Sequence, residues 1–435
     1  MRIVHLASSE APSAEFVKRA SSFDPEVQRD VAEIIATVRE EGDKALRSYT
    51  EKFDRAKVKE IRLSEVIIQM AQRRVDKRAM AALEAAAKNI VSYHENQLNT
   101  SWFETRRDGS LVGSKITPLD SVGIYVPGGR ALYPSTVLMN AIPARVAGVR
   151  RIAMVTPPGH DSSIDPIIIA AAQIAGVNEI YTVGGAQAIA ALAYGTESIA
   201  AVDKITGPGN VYVTAAKRQV SGDVGIDMIA GPSEVLILAD ESAEPALIAI
   251  DLMAQAEHDP QAVCYLVTTD ETLVEEVEAE IAEFLIDSPR RDITRKSLDD
   301  NGVIFVAPDL STALLAVNTI APEHLEVQME NPFELLGLIE NAGAIFLGSW
   351  TPTSVGDYIA GPNHTLPTGG TARFSSPLSV DDFVKRSSVI SYTYAALHKD
   401  AETIGTLAYK EGLWAHEKSV KARFELMESM EEDES

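Results

Sequence analysis

Between Gly123 and about Asp240 the chain alternates short apolar runs with helical stretches: "RRIAMVTPPG", "DPIIIAAAQIAGV", "NEIYTVGGAQ", "AIAALAYG" and "DKITGPGN". Few folds accept such a pattern, because right-handed strand–helix–strand crossovers lay successive strands parallel. The pattern also repeats. "AGVRRIAMV" starting at Ala147 and "AGVNEIYTV" starting at Ala175 align 28 residues apart, the length of one strand–helix unit. Two units do not make a solenoid, so a doubly wound sheet is expected. After Glu234 a second series begins: strand "EVLILAD", a helix over 244–258, strand "AVCYLVTT", a helix over 272–286, strand "GVIFVAP", a further helix, and "AGAIFLG". The fold class is α/β, with two sheet domains of similar type.

The remaining segments read as packing and docking elements. Asp24-Pro25 opens a helix in which Val27, Val31, Ile34, Ile35 and Val38 share one face as far as Gly42. A second helix is expected over roughly 75–95, and "LVGSKITPLDSVGIYVPGG" supplies short β-prone runs. After a loop at 349–378 the chain is expected to turn helical and stay so through "GTLAYKEGLWAHEKSVKARFELME". That segment is too short to stand alone, and a partner subunit is its natural dock. The tail "MESMEEDES" is too polar to bury and is expected to fray from the last helix.

Composition removes several classes of function. The 435 residues are 46% apolar and 23% charged, as in a folded globular protein, and no window approaches a membrane span. A net charge of −24 repels phosphate backbones and argues against nucleic-acid binding. The start, "MRIVHLASSEAPSAEF", has no export signal, and cytoplasmic residence is the default expectation. One cysteine, Cys264, excludes an intrachain disulfide framework and any multi-cysteine zinc knuckle. Set in the apolar run "AVCYLVTT", it reads as a buried structural thiol.

Three glycine turns each follow an expected strand and open a helix: "YVPGG" (125–129), "VGGAQ" (183–187) and "GPGN" (207–210). Such turns let a backbone approach phosphate and offer free N–H donors, although none is the GxGxxG fingerprint and ordinary tight turns also explain glycine pairs. Four histidines have polar company: His258 three residues after Gln255, His324 directly after Glu323, His364 near Asp357 in "GDYIAGPNHTLPT", and His416 five residues after Glu411. Each grouping has a plainer reading, as a helix cap, a solvated face or a surface turn. Jointly, Gln255, His258, Asp357 and His416 offer nitrogen and oxygen ligands without thiolate, which suits zinc and is compatible with manganese or cobalt. Glu323 and His324 form an acid–base pair. The residues alone indicate a metal-dependent enzyme with a nucleotide site.

Eight motifs, "YVPGG", "GGAQAIAALAYGT", "GPGN", "AGPSEVL", "MAQAEHDP", "APEHLE", "GDYIAGPNHTLPTGGTARFSSPLSVDDF" and "EGLWAH", stand in the order and approximate spacing of histidinol dehydrogenase, which the chain resembles from about residue 10 to about 425. The resemblance implies two incomplete Rossmann-like domains and a helical C-terminal segment that docks on the other subunit of a homodimer. The expected division is 1–22 as an N-terminal segment, 23–124 with 235–378 as the first domain, 125–234 as the second with the NAD-binding turns, and 379–435 as the C-terminal segment. The implied activity is NAD-dependent oxidation of L-histidinol to L-histidine in two steps. Zinc would be held by Gln255, His258, Asp357 and the other subunit's His416, and Glu323 with His324 would be catalytic. Ser233, His364 and Glu411 would contact substrate, and Tyr125, Gln187 and Asn210 would contact NAD. Two alternatives stay open: a related enzyme acting on another primary alcohol such as a sulfonated diol, against which Glu411, His416 and His364 argue, and a non-catalytic metal- or nucleotide-binding protein, in which Glu323-His324 would have no purpose.

Overall fold

The alternating pattern folds into two separate parallel sheets. The computed structural model describes residues 1–17, 24–128, 132–159, 161–177 and 179–433, the last six of these by backbone only. Residues 18–22 of the expected N-terminal segment, Gly129 of the first glycine turn, Asn178 of the repeat and the last two residues of the acidic tail lie outside that range. The chain divides into two compact units, Met1–Leu98 with Leu119–Phe383, and Asn99–Pro118 with Val384–Ser435.

Both parallel sheets belong to the first unit. One has six strands in the order Arg2–His5, Val303–Val306, Val263–Thr268, Glu234–Ala239, His324–Gln328 and Ala344–Leu347. The other has five: Glu179–Thr182, Arg151–Thr156, Ser121–Tyr125, Lys204–Thr206 and Gly225–Ile226. Every residue of Glu234–Ala239 and of Val263–Thr268 is buried, as a parallel strand covered by helices on both faces must be. Helices Pro245–Ala256 and Thr272–Asp287 cover one face through Leu252, Val277 and Ile281. Leu310–Ile320 covers the other through Ala313, Ala316 and Val317. The 28-residue repeat becomes the adjacent strands Arg151–Thr156 and Glu179–Thr182, with Ala153 opposite Glu179.

The domain division read from the sequence does not follow the packing. Helix Pro25–Glu41, capped by Asp24, buries Val31, Ile34, Ile35 and Val38 in one cluster with Tyr125, Val155, Ile189 and Ile205. Residues 24–54 therefore cover the five-stranded sheet, whereas the grouping of 23–124 with 235–378 assigned them to the other. The boundary at 124/125 cuts strand Ser121–Tyr125, and Arg2–His5, expected outside both domains, pairs with Val303–Val306. The physical reason is that an amphipathic helix displays an apolar stripe but carries no record of which sheet covers it.

The second unit has an antiparallel sheet, Val384–Ser391 paired with Leu111–Pro118 and that with Trp102–Thr105. Two helices, Tyr394–Lys410 and Trp414–Asp433, pack on each other, with Tyr394 edge-on to Phe424 at 5.6 Å. A wholly helical C-terminal segment is thus corrected. "VKRSSVIS" is exposed or half-buried at every position, so it lacks the apolar alternation that marks a half-buried strand. The acidic tail continues the last helix to Asp433 instead of leaving it. Among the described residues no helix is long and apolar enough to cross a membrane.

A buried acid pair ties three elements of the first unit together. Gln328 Nε2 donates to Asp251 Oδ2 at 3.1 Å and Glu326 Oε2 at 2.9 Å, and the Thr353 amide donates to Glu326 Oε1 at 2.9 Å. Burial, then the neighbouring Asp251 charge, pushes Glu326 up to about 8. The native state therefore keeps a proton that an unfolded glutamate, with its ordinary value of 4.5, has lost. Native protein binds more protons across that window, so this group's contribution to stability declines as pH rises from about 4.5 to 8. Thermal unfolding from about pH 5 to 8 should show a steeper downward slope in the parent than in Glu326→Gln, which keeps an acceptor for the Thr353 amide. Equal slopes would refute the assignment.

Candidate active site

Glu234, the first residue of an otherwise apolar strand, organises the pair that follows the break at Pro322. Its amide donates to Glu323 Oε2 at 2.9 Å, and its carbonyl accepts from His324 Nδ1 at 3.0 Å. Its own carboxylate accepts from the Gly369 amide at 2.6 Å. A carbonyl can only accept, so His324 is the Nδ1–H tautomer and Nε2 carries the lone pair. That nitrogen lies 4.0 Å from Asp357 Oδ1. Glu323 and His324 are each 6% exposed, an unusual burial for a carboxylate and an imidazole.

Asp357 and His364 meet through a tight segment. His364 Nδ1 donates to the Asp357 carbonyl at 3.2 Å, which again leaves Nε2 basic, and Thr136 Oγ1 stands 3.4 Å from it. Asp357 was expected in a loop, but it sits on the short helix Thr353–Tyr358, which Glu326 caps through the Thr353 amide. The rest of the loop is pinned on both sides: Asn363 Nδ2 donates to the Met139 carbonyl at 2.6 Å, and the Gly231 amide donates to Thr368 Oγ1 at 2.6 Å. The loop thus links helix Pro134–Ala147, which follows the carboxyl end of a strand in one sheet, to the amino end of Glu234–Ala239 in the other.

Desolvation sets the protonation states. Burial, opposed by the Glu234 amide and reinforced by the charges of Glu234 and Asp357, raises Glu323 well above the usual carboxylate range. Burial lowers His324 and His364 to about 4 and raises Asp357 to about 6. At pH 7 both imidazoles are neutral, so neither compensates the Asp357 carboxylate. His258 is exposed, yet the protein around it also lowers its basicity, and its charge would be felt at His324 and His364. It lies two residues beyond helix Pro245–Ala256, in the turn that ends it, and its amide donates to the Gln255 carbonyl at 3.2 Å. Gln255 is buried, and Ser233 is half-buried just before Glu234. Among the described residues no three His, Cys, Asp or Glu side chains gather as a metal-holding group.

The expected cofactor residues lie at the carboxyl ends of the five-stranded sheet. Tyr125 ends its strand and is buried, with its hydroxyl accepting from the Gly185 amide at 3.1 Å. Gln187 is 1% exposed, with neither side-chain amide atom hydrogen-bonded among the described residues. Asn210 caps helix Val211–Val220, its Oδ1 accepting from the Tyr212 and Val213 amides at 3.1 Å each. Glu411 and His416 belong to the second unit, where both are exposed; Glu411 ends helix Tyr394–Lys410 and His416 is the third residue of the next. Cys264 is fully buried, its Sγ donating to the Leu252 carbonyl at 3.4 Å, and burial pushes the thiol up to about 12. It is inert, as its apolar setting suggested.

The family model for histidinol dehydrogenase matches residues 17–424. The chain belongs to the histidinol dehydrogenase family. These enzymes are oxidoreductases. The histidinol dehydrogenase of Bacillus cereus is 54% identical, with 98% of this chain and 99% of that protein covered, and the one from Bacillus subtilis is 53% identical over 97% and 99%. The crystal structure of histidinol dehydrogenase from Elizabethkingia anophelis superposes with a TM-score of 0.92 at 36% identity, covering 98% of this chain and 99% of that one. Two residues that contact the candidate site escaped the sequence reading. Glu234 had one available signal, an acidic residue opening an otherwise apolar strand. Thr136, in a helix buried on nearly all sides, had none.

Proposed function

We propose that this chain oxidises L-histidinol to L-histidine with two molecules of NAD and one of water, through the aldehyde and its hydrate, in the cytoplasm as the last steps of histidine biosynthesis. The observation that carries this reading is the Glu323–His324 pair, buried and oriented by the Glu234 backbone with the basic Nε2 turned towards Asp357.

Gln255, His258 and Asp357, together with His416 of the partner subunit, would hold a zinc ion. The donor set fits: His258 is biased to the neutral form that ligates, and Asp357 is a desolvated carboxylate whose histidine neighbours are neutral. When bound, the metal would supply positioning of the substrate. Ser233, His364 and the partner subunit's Glu411 complete the substrate site. Tyr125, Gln187 and Asn210 would hold NAD, the hydride acceptor. Gln187 supports this because its buried amide lacks partners among the described residues, and Asn210 because the cap uses only its oxygen.

His324 is unprotonated at pH 7 and takes the hydroxyl proton at Nε2 as hydride leaves the carbinol carbon. It then releases that proton to solvent. In its ionised form Glu323, made more basic by burial, accepts a proton from water so that the oxygen adds to the aldehyde carbon; the proton returns to the resulting oxyanion, giving the hydrate. His324 accepts the hydrate's hydroxyl proton in the second oxidation. With Cys264 buried and its thiol protonated, a thiohemiacetal route has no nucleophile. The test is NADH formed with L-histidinol at two per substrate consumed, with histidine as product. Turnover only of other diols, or of nothing, would overturn the proposal.

A shared site makes a further prediction. His324→Asn and His416→Ala chains, each inactive alone, should regain activity when mixed, dissociated and reassembled. Half the dimers would be mixed and one of their two sites intact, so about a quarter of parental activity should return. No regain would place both residues in one chain's site.

A further inference from the structure

The glycine turn "GPGN" stands on a buried ion pair that the reaction does not otherwise use. Lys217, on helix Val211–Val220, and Asp227, after strand Gly225–Ile226, pair with their side chains 3% and 1% exposed. Burying a lysine and an aspartate costs several kcal/mol per ion before their attraction is counted, and an apolar pair of like volume is often as stable. What the ions hold is one residue. Lys217 Nζ donates to the Gly207 carbonyl at 3.0 Å, and the Gly207 amide donates to Asp227 Oδ2 at 2.8 Å. Gly207 is thus clamped at both its backbone groups, at a φ of +112° where a side chain would collide with the Tyr125 carbonyl. Asp227 is itself fixed, its Oδ1 accepting from the Met228 amide at 2.7 Å and its own amide donating to the Ile205 carbonyl at 3.2 Å.

We infer that Lys217 and Asp227 are positioning residues for the nucleotide: they fix the Gly207 peptide, and through it the 207–210 turn that presents Asn210 and its neighbours to the dinucleotide. This rests on the reading of that turn as part of the NAD site. Neither side chain reaches solvent, so neither carries a charged group to the cofactor. They act by holding the backbone between strand Lys204–Thr206 and helix Val211–Val220 in a shape that Gly207 alone, with its wide conformational freedom, would not keep.

The experiment compares the parent with Lys217→Met, the charge-neutral double variant Lys217→Met/Asp227→Asn, and Asn210→Ala. In the double variant the side-chain oxygen at position 227 still accepts from the Gly207 amide and no lone ion is left buried, so it keeps the fold if Lys217→Met alone does not. NADH affinity is read by its fluorescence without histidinol, alongside Tm, metal content and the KM for histidinol. The expected result is a loss of NADH affinity of roughly 10- to 100-fold in the double variant, in line with the cost of small misplacements of binding groups, with metal content and histidinol KM unchanged. A lowered Tm with unchanged NADH affinity, while Asn210→Ala weakens binding, would overturn the positioning role and leave the cofactor site standing. Unchanged affinity in both the double variant and Asn210→Ala would remove the turn from the cofactor site and the inference with it.

Discussion

Glu323→Gln is expected to stop the reaction halfway. The amide still accepts from the Glu234 amide in place of Glu323 Oε2, but it cannot take a proton from water, and loss of a general base costs roughly 10²- to 10⁴-fold in rate. His324 is untouched, so the first oxidation continues. Histidinol should then yield one NADH quickly and the second slowly, with the aldehyde accumulating and open to capture by semicarbazide. His324→Asn should slow both steps, since each oxidation discharges a hydroxyl proton. The fold should not suffer in Glu323→Gln. Burial raises the Glu323 pKa, so its ionised form is the one the native state penalises, and its stabilising contribution is lost as pH rises through the native value. A neutral amide removes that penalty, and Tm at about pH 8 should be no lower than the parent's. A variant releasing both NADH equivalents at the parental rate would exclude Glu323 as the base for hydration.

Legibility in the sequence followed the strength of local signals. Strands such as Glu234–Ala239 and Val263–Thr268 are buried on both faces, so the apolar runs that mark them are unbroken and their partners follow from the crossover rule. Val384–Ser391 is mostly exposed, pairs with residues 111–118 far away in the chain, and leaves no periodic trace. The same holds for the domain division, where Pro25–Glu41 is read correctly as a helix and assigned to the wrong sheet. At the site, titratable residue types exposed Glu323, His324, Asp357 and His364, because carboxylates and imidazoles are conspicuous between Gly and Pro. The backbone donors and acceptors that set their tautomers are invisible in any sequence: the Glu234 amide and carbonyl fix Glu323 and His324 whatever side chain stands at 234. Resemblance to a family names expected ligands and supplies no geometry.

Asp357→Ala should lose the metal and keep the fold. The carboxylate is held by helix Thr353–Tyr358, whose first amide is fixed to Glu326 and whose Asp357 carbonyl accepts from His364; both bonds use backbone atoms and survive the substitution. What disappears is the one anionic donor proposed for the site, and affinity should fall by well over the ~10- to 100-fold that loss of a mere supporting hydrogen bond costs a metal site. Stability of the metal-free protein should move the other way. Burial raises Asp357 from 3.8 to about 6, so ionising it inside the native state costs on the order of 3 kcal/mol at pH 7, a debt that only a bound cation cancels. Stripped by chelator, Asp357→Ala should therefore unfold at or above the temperature of the stripped parent. With metal added, the order should reverse, because only the parent gains the stabilisation that binding to the native state confers. Metal analysis of the purified variant, with the two unfolding curves, decides the matter. Full occupancy in Asp357→Ala, or a metal-free variant markedly less stable than the metal-free parent, would show that this carboxylate is structural and that the cation, if there is one, is held elsewhere.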